Sequence, residues 1–178
     1  QFFQQKTQKK AKKFTVFIGG SGYGLRETKT ITRYLTTLDN LQLIVVCGRH
    51  QKLRKKIAGK KNVKVFGFVR NMARLMSQCH LIVGKAGPNL LFESITLGIP
   101  FLATGYPPEQ EKGNLRLIEK YKIGLVEKNP KKAATLIYQL AQNPRKLEKF
   151  KVNIKKFNHF HQNPSTIIAS KITDLLLK

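Results

Sequence analysis

Phe14-Thr15-Val16-Phe17-Ile18 runs straight into Gly19-Gly20-Ser21-Gly22-Tyr23-Gly24, and residues with helical spacing follow. The first five are apolar, β-branched or aromatic, the pattern of a strand covered on both faces. Glycines then let the backbone turn tightly and approach a ligand, and the N–H groups of a following helix face an anion. The unit recurs downstream, where Leu81-Ile82-Val83-Gly84 leads into Lys85-Ala86-Gly87-Pro88-Asn89 and a second helical pattern. The first loop is not a Walker motif, because no Gly-Lys-Ser/Thr follows. Nor is the first a dinucleotide fingerprint: Cys47-Gly48-Arg49-His50 stands where the acid after strand two belongs.

Working outward, the same alternation fills the chain to about residue 127. Strands are expected at Phe14–Ile18, Leu41–Cys47, Val63–Phe66, Leu81–Gly84, Pro100–Thr104 and Gly124–Glu127. Between them, Ile31, Tyr34, Leu35 and Leu38 share one helical face. Met72, Leu75 and Met76 mark a short helix. Leu91 and Ile95 mark another, stopped by Gly98-Ile99-Pro100. Leu117, Ile118 and Tyr121 mark a third, ending at Gly124. The order predicts an α/β fold, a doubly wound, Rossmann-like parallel sheet. C-terminal helices follow over about 130–178. Asn129-Pro130, Asn143-Pro144 and Asn163-Pro164 each fit an Asn cap with Pro at the first helical position. The last helix, with Ile168, Ile172, Leu175 and Leu176, is expected to pack on the body. Residues 1–13, with five lysines and no acid, read as a basic linker or tail. Residues 14–178 read as one domain.

Composition narrows the classes. The chain has 178 residues, 41% of them hydrophobic, enough for a core and too many for general disorder. Its apolar runs are strand-sized, far short of the about 20 residues that span a bilayer. The start has no apolar core like that of a secretory signal. Cys47 and Cys79 both lie in apolar contexts and read as buried thiols. The 34 Lys and Arg against 9 Asp and Glu give a net charge of +25, which calls for an anionic partner without choosing among nucleic acid, membrane and phosphorylated ligand.

Two further clusters stand at strand ends. Glu93, a turn into the helix after Asn89, suits vicinal hydroxyls such as those of a ribose, or equally a helix N-terminus that favours an acid. Tyr106-Pro107-Pro108-Glu109-Gln110-Glu111-Lys112-Gly113-Asn114 is a polar loop opening a helix, and Gln110, Glu111 and Asn114 can all bond hydroxyls.

Six segments, namely the first glycine loop, Cys47-Gly48-Arg49, Val65-Phe66-Gly67-Phe68-Val69, Lys85-Ala86-Gly87-Pro88, Phe92-Glu93-Ser94 and Pro108 to Asn114, occur in one order and spacing. Over about residues 14–127 they resemble the C-terminal domain of glycosyltransferase family 28. The nearest branch is that of the monogalactosyldiacylglycerol synthases and bacterial diacylglycerol glucosyltransferases; the peptidoglycan GlcNAc transferase MurG is more distant. The resemblance implies a GT-B enzyme of two Rossmann-like halves, of which this is the donor half. It implies a hexosyltransferase that takes galactose or glucose from a UDP-sugar to diacylglycerol or another lipid, with acceptor domain and catalytic base supplied from outside these residues. Phe68 and Val69 would meet the uracil through their backbone, and Glu93 the ribose. Gly20, Ser21, Gly22, Gly87, Pro88 and Asn89 would face the diphosphate, with Arg49 and Lys85 as its charge partners. Gln110, Glu111 and Asn114 would orient the hexose. The resemblance implies no metal and no cofactor; the UDP-sugar is a substrate. The branch carries Gly-Thr where Asn89 and Leu90 stand here, and Gly where Glu109 stands. The loop is therefore more crowded and one phosphate-bonding hydroxyl is gone.

Arg49 to Lys61 holds seven Lys and Arg with no acid, and Arg145 to Lys178 eight against Glu148 and Asp174. Each basic residue near an anionic bilayer adds about 1 kcal/mol. The expectation is therefore a cytoplasmic enzyme peripheral to an anionic membrane surface, for which a plastid envelope fits. A solvated basic face is the plainer reading. The rival functions are a UDP-GlcNAc transferase of the MurG type and a basic nucleic-acid-binding domain. For the latter only Phe157, His159, Phe160 and His161 beside Lys155 and Lys156 speak, with no recognition motif. His50 and His80 lack the spacing of a zinc site.

Overall fold

In the computed structural model, six short strands alternate with helices among the described residues. The structure describes residues 13–19, 25–105, 109–160 and 164–177. The order is β1 (Phe14–Gly19), α1 (Leu25–Leu35), β2 (Leu41–Val46), α2 (Gln51–Ile57), β3 (Val63–Phe66), α3 (Met72–Met76), β4 (Leu81–Gly84), α4 (Pro88–Thr96), β5 (Phe101–Ala103), α5 (Lys112–Tyr121), β6 (Gly124–Val126), α6 (Pro130–Gln142), α7 (Glu148–Phe160) and α8 (Pro164–Leu176). A single-turn 3-10 helix, Glu109–Glu111, leads into α5. Another, Pro144–Leu147, leads into α7. The sheet runs β3-β2-β1-β4-β5-β6, parallel throughout. The expected doubly wound fold is what the chain adopts.

Alternate strand residues feed two cores. Val16, Ile18, Leu43, Val45 and Val83 pack with Ile31, Leu35, Leu53, Ile57 and Ile137, so α1, α2 and α6 cover one face. Phe17, Ile44, Val46 and Ile82 pack with Met76, Leu91, Ile95, Ile118, Ile154 and Phe157, so α3, α4, α5 and α7 cover the other. Polar residues brace the joints. Asn62, 5% exposed, donates from Nδ2 to the carbonyls of Leu35 and Leu38 at 3.1 and 2.9 Å, tying the end of α1 to the start of β3. Ser94 Oγ donates to Ile99 O at 2.6 Å inside the turn that Gly98 makes at φ 72°. Asn153 and Asn158 on α7 donate to Lys122 O and Ile95 O, which fixes that helix to the ends of α5 and α4.

Several sequence expectations change. The buried face of α1 is Thr28, Ile31, Thr32 and Leu35; Tyr34 is exposed with Arg33 against its ring, and Leu38 lies past the helix. The basic run 49–61 contains α2, which buries only Leu53 and Ile57 and turns its cations to water. Asn129 caps α6 as expected, accepting from Lys131 N and Lys132 N. Asn143 makes no side-chain cap bond and opens a 3-10 turn instead. Asn163 and the tail 1–12 lie outside the described residues. The expectation that the last helix packs on the body is overturned. Ile167, Ile168, Ile172, Leu175 and Leu176 of α8 are 45–80% exposed, and it is α7 that packs, through Ile154 and Phe157. A stripe at helical spacing names a face without naming what covers it.

The end of α5 is set by Lys122, not by Gly124. Lys122 takes the left-handed conformation at φ 49°, ψ 44°. Gly124 is needed for closeness: a Cβ there would fall 2.0 Å from Phe101 O on the paired strand. Gly124→Ala is expected to part β5 from β6 and cost about 3 kcal/mol or more. Lys122→Gly removes a left-handed non-glycine residue and is expected to gain about 0.5–1 kcal/mol. Thermal melts check both, at about 2–4 °C per kcal/mol for a chain of this size.

Candidate functional site

The carboxyl ends of parallel strands share one edge, and ligands of open α/β sheets bind there, at the point where strand order reverses. Here that point lies between β1 and β4. A hollow of about 560 Å³ opens beside it, lined by Gly19 of β1, Val46 and Gly48 after β2, Phe68 and Val69 after β3, and the segment from Lys85 to Leu90 with the exception of Ala86. Met72 and Glu111 complete it. Phe68 is 70% exposed at its rim.

The loop after β4 leads into a helix N-terminus, a position that favours negative charge. Gly87 N donates to Lys85 O at 2.8 Å, and Gly87 then stands as the N-cap of α4. Pro88 follows in the first helical turn, where its missing N–H costs nothing. The N–H groups of Asn89 and Leu90 come next, in the turn that has no helical acceptors to offer. Lys85 Nζ lies 2.8 Å from Glu111 Oε1, a pair whose side chains are only 15% and 16% exposed. Gly87 passes close beneath: a Cβ there would sit 3.7 Å from Lys85 Cε and 3.9 Å from Glu111 Oε1. The other carboxylate oxygen, Glu111 Oε2, is buried and has no hydrogen-bond partner among the described residues. Such an atom costs about 1–3 kcal/mol unless a donor reaches it.

The structure brings together Phe68, Val69, Lys85, Gly87, Pro88, Asn89 and Glu111 of the expected residues. Glu93 faces an adjoining hollow of about 390 Å³ with Ala73, Phe92, Thr96 and Leu97. Asn89 lines both hollows and so stands between them. Arg49 is exposed beside Gly48 and is not among the lining residues. Asn114 Nδ2 donates to Ala86 O at 2.7 Å, a second tie between α5 and the loop after β4. Glu109 is exposed and paired with Lys112 at 2.5 Å. Gly20, Ser21, Gly22 and the side chain of Gln110 lie outside the described residues.

Sequence reasoning missed the partnership of Lys85 with Glu111, which sit 26 positions apart. It also missed Val46, Met72 and Leu90 as lining. No spacing rule announces them; they follow from which strand ends are neighbours. Both cysteines are buried and free, as expected. Burial pushes the Cys47 thiol up, with Arg54 pulling it back in part, and pushes Cys79 up to about 12. His80 is a structural acceptor: its Nδ1 takes the Thr15 N–H at 2.9 Å, and its ring stacks on Phe14. Among the described residues no three His, Cys, Asp or Glu side chains gather where they could hold a metal ion.

Comparison with known proteins gives this architecture its relatives. Monogalactosyldiacylglycerol synthase 3, chloroplastic, of Arabidopsis thaliana is 32% identical over 150 residues, which cover 82% of this chain and 30% of that protein. The spinach (Spinacia oleracea) monogalactosyldiacylglycerol synthase, chloroplastic, is 37% identical over 101 residues, 55% of this chain and 19% of that one. The chain thus spans about a third or less of the length of these relatives. Among solved structures, Acinetobacter baumannii MurG superposes with a TM-score of 0.68 at 18% identity, over 83% of this chain and 46% of that one. Anabaena HepE in complex with UDP and glucose superposes with a TM-score of 0.68 at 18% identity, over 90% and 48%. At these identities the superpositions speak for the fold. The model of the glycosyltransferase family 28 C-terminal domain matches residues 15–170, from β1 into α8, and the chain belongs to that family.

Proposed function

We propose that the chain is the donor-binding half of a UDP-hexose-dependent hexosyltransferase that glycosylates diacylglycerol. The observation that carries this reading is the pair at the sheet's switch point. Lys85 is held against one oxygen of Glu111, while the other oxygen is buried and unpartnered among the described residues beside an open hollow. A nucleotide sugar suits both groups at once. Its diphosphate meets Lys85 and the first-turn N–H groups of α4, and a sugar hydroxyl meets Glu111 Oε2. The base lies against the backbone of Phe68 and Val69, and the ribose reaches over Asn89 toward Glu93. Asn114, tied to the loop after β4, lies at the edge of this donor surface, and Arg49, Gly20, Ser21, Gly22 and Gln110 are assigned to the donor on the family resemblance.

In the reaction the bond from the anomeric carbon to the diphosphate breaks, and negative charge grows on the departing UDP. Lys85 and the start of α4 stabilise that charge where it develops, with no rearrangement needed. The lipid hydroxyl and the base that takes its proton come from a second domain, since the relatives are about three times longer. The acceptor reading rests on those relatives, which are named as monogalactosyldiacylglycerol synthases. No helix among the described residues is long and apolar enough to cross a membrane. We place the protein at the surface of an anionic membrane, held by part of its excess of basic residues. The chloroplastic relatives favour a plastid envelope.

Four outcomes are expected. Calorimetric titration gives saturable heat with UDP; no heat up to millimolar UDP, alongside measurable RNA binding, overturns the reading in favour of a nucleic-acid-binding domain. In the same titration Glu93→Ala weakens UDP by about 1–3 kcal/mol through lost ribose hydrogen bonds, and an unchanged affinity removes Glu93 from the site. Lys85→Ala weakens UDP by about 1.5–3 kcal/mol while uridine binds as before, because only the diphosphate meets the ammonium. Cosedimentation with anionic liposomes falls steeply between low and physiological salt.

A further inference from the structure

The two strands that meet at the switch point both end in glycine. Gly19 of β1 and Gly84 of β4 stand opposite each other in register, so the strands finish in a patch free of side chains. The first turn of α4 fills it. A Cβ added to Gly19 would fall 2.9 Å from Leu90 Cδ2, and one added to Gly84 would fall 2.9 Å from the same atom. One methyl group therefore occupies the space that both glycines open. Leu90 is only partly buried, and its exposed side lines the hollow that also holds Lys85 and Glu111. The surface at the centre of an otherwise anion-seeking site is thus hydrocarbon.

We propose that Leu90 is a specificity-determining residue of the donor hollow. Its side chain plugs the glycine patch and holds a ligand's phosphates off the ends of β1 and β4. A phosphate oxygen cannot hydrogen-bond to a methyl group, and the methyl keeps it and any bridging water away from the strand ends. The contribution of the phosphates to affinity is therefore smaller than the bare patch would allow, and recognition leans on the base and ribose. This rests on the nucleoside-diphosphate reading above and goes beyond it. It predicts that the present chain prefers UDP over uridine by less than the open patch would allow, and that one side chain sets the difference.

The test is titration of UDP and uridine into the wild-type chain, Leu90→Ala and Leu90→Met, with a thermal melt of each. Leu90→Ala opens the patch, and UDP is expected to tighten about tenfold, the worth of one added charge-assisted hydrogen bond, while uridine stays within about twofold. Leu90→Met refills the patch with flexible hydrocarbon of similar volume and keeps the wild-type ratio. A merely structural Leu90 would lower the melting temperature and weaken both ligands together in Leu90→Ala, which overturns the proposal. So does UDP binding whose ratio to uridine is the same in all three proteins. Failure of all three to bind either ligand overturns the donor reading itself, and this inference with it.

Discussion

A sheet whose strands all run one way cannot leave either face in water. The crossovers that return the chain to the same edge are helices, and they land on both sides. That constraint organises the molecule. It makes the strands apolar on both faces, divides the core into two layers and gathers every strand-to-helix turn on one edge. It also decides that the chain reverses between β1 and β4, and therefore that Gly19, Lys85 and Glu111 become neighbours. The site is what this wiring leaves open.

How much of this the sequence discloses depends on the distance over which each feature is determined. Val63–Phe66 and Leu81–Gly84 are legible to the residue, because a short apolar run between turn residues has few other readings. α2 is hidden, since Leu53 and Ile57 are its only buried residues among five polar or charged ones. α1 misleads in a smaller way: Thr28 and Thr32 share its buried face, and a pattern read from apolar residues passes over them. The loop residues Lys85 and Gly87 are visible as chemistry, yet the partner of Lys85 is not. Glu111 follows a different strand, and only the order of β4 and β5 sets the two side by side. The plug that Leu90 makes in the glycine patch is equally invisible. Nothing in one dimension says that Gly19 and Gly84 open toward the same methyl group.

The charge reads differently once the fold is known. Nine acids cannot pair 34 bases, and several of those acids stand in ion pairs. Glu111 holds Lys85, Glu109 offsets Lys112, and Glu148 pairs with Lys151 at the start of α7. The basic residues of α2 lie on a helix whose buried side carries no charge at all, so their placement is a property of the surface and not of the core. Lys85 stands at the switch point, and a net charge of +25 sets the field in which the whole body meets charged surroundings.

The two thiols carry a consequence of the layered core. Cys47 lies in the layer covered by α1, α2 and α6, and Cys79 in the layer covered by α3, α4, α5 and α7. Each is buried, and burial keeps each in its unreactive neutral form. A thiol-directed reagent therefore touches neither until the layer above it lifts. The protein carries one native reporter for each side of its sheet, and their separate labelling rates measure whether the two halves of the core open as one unit or in turn.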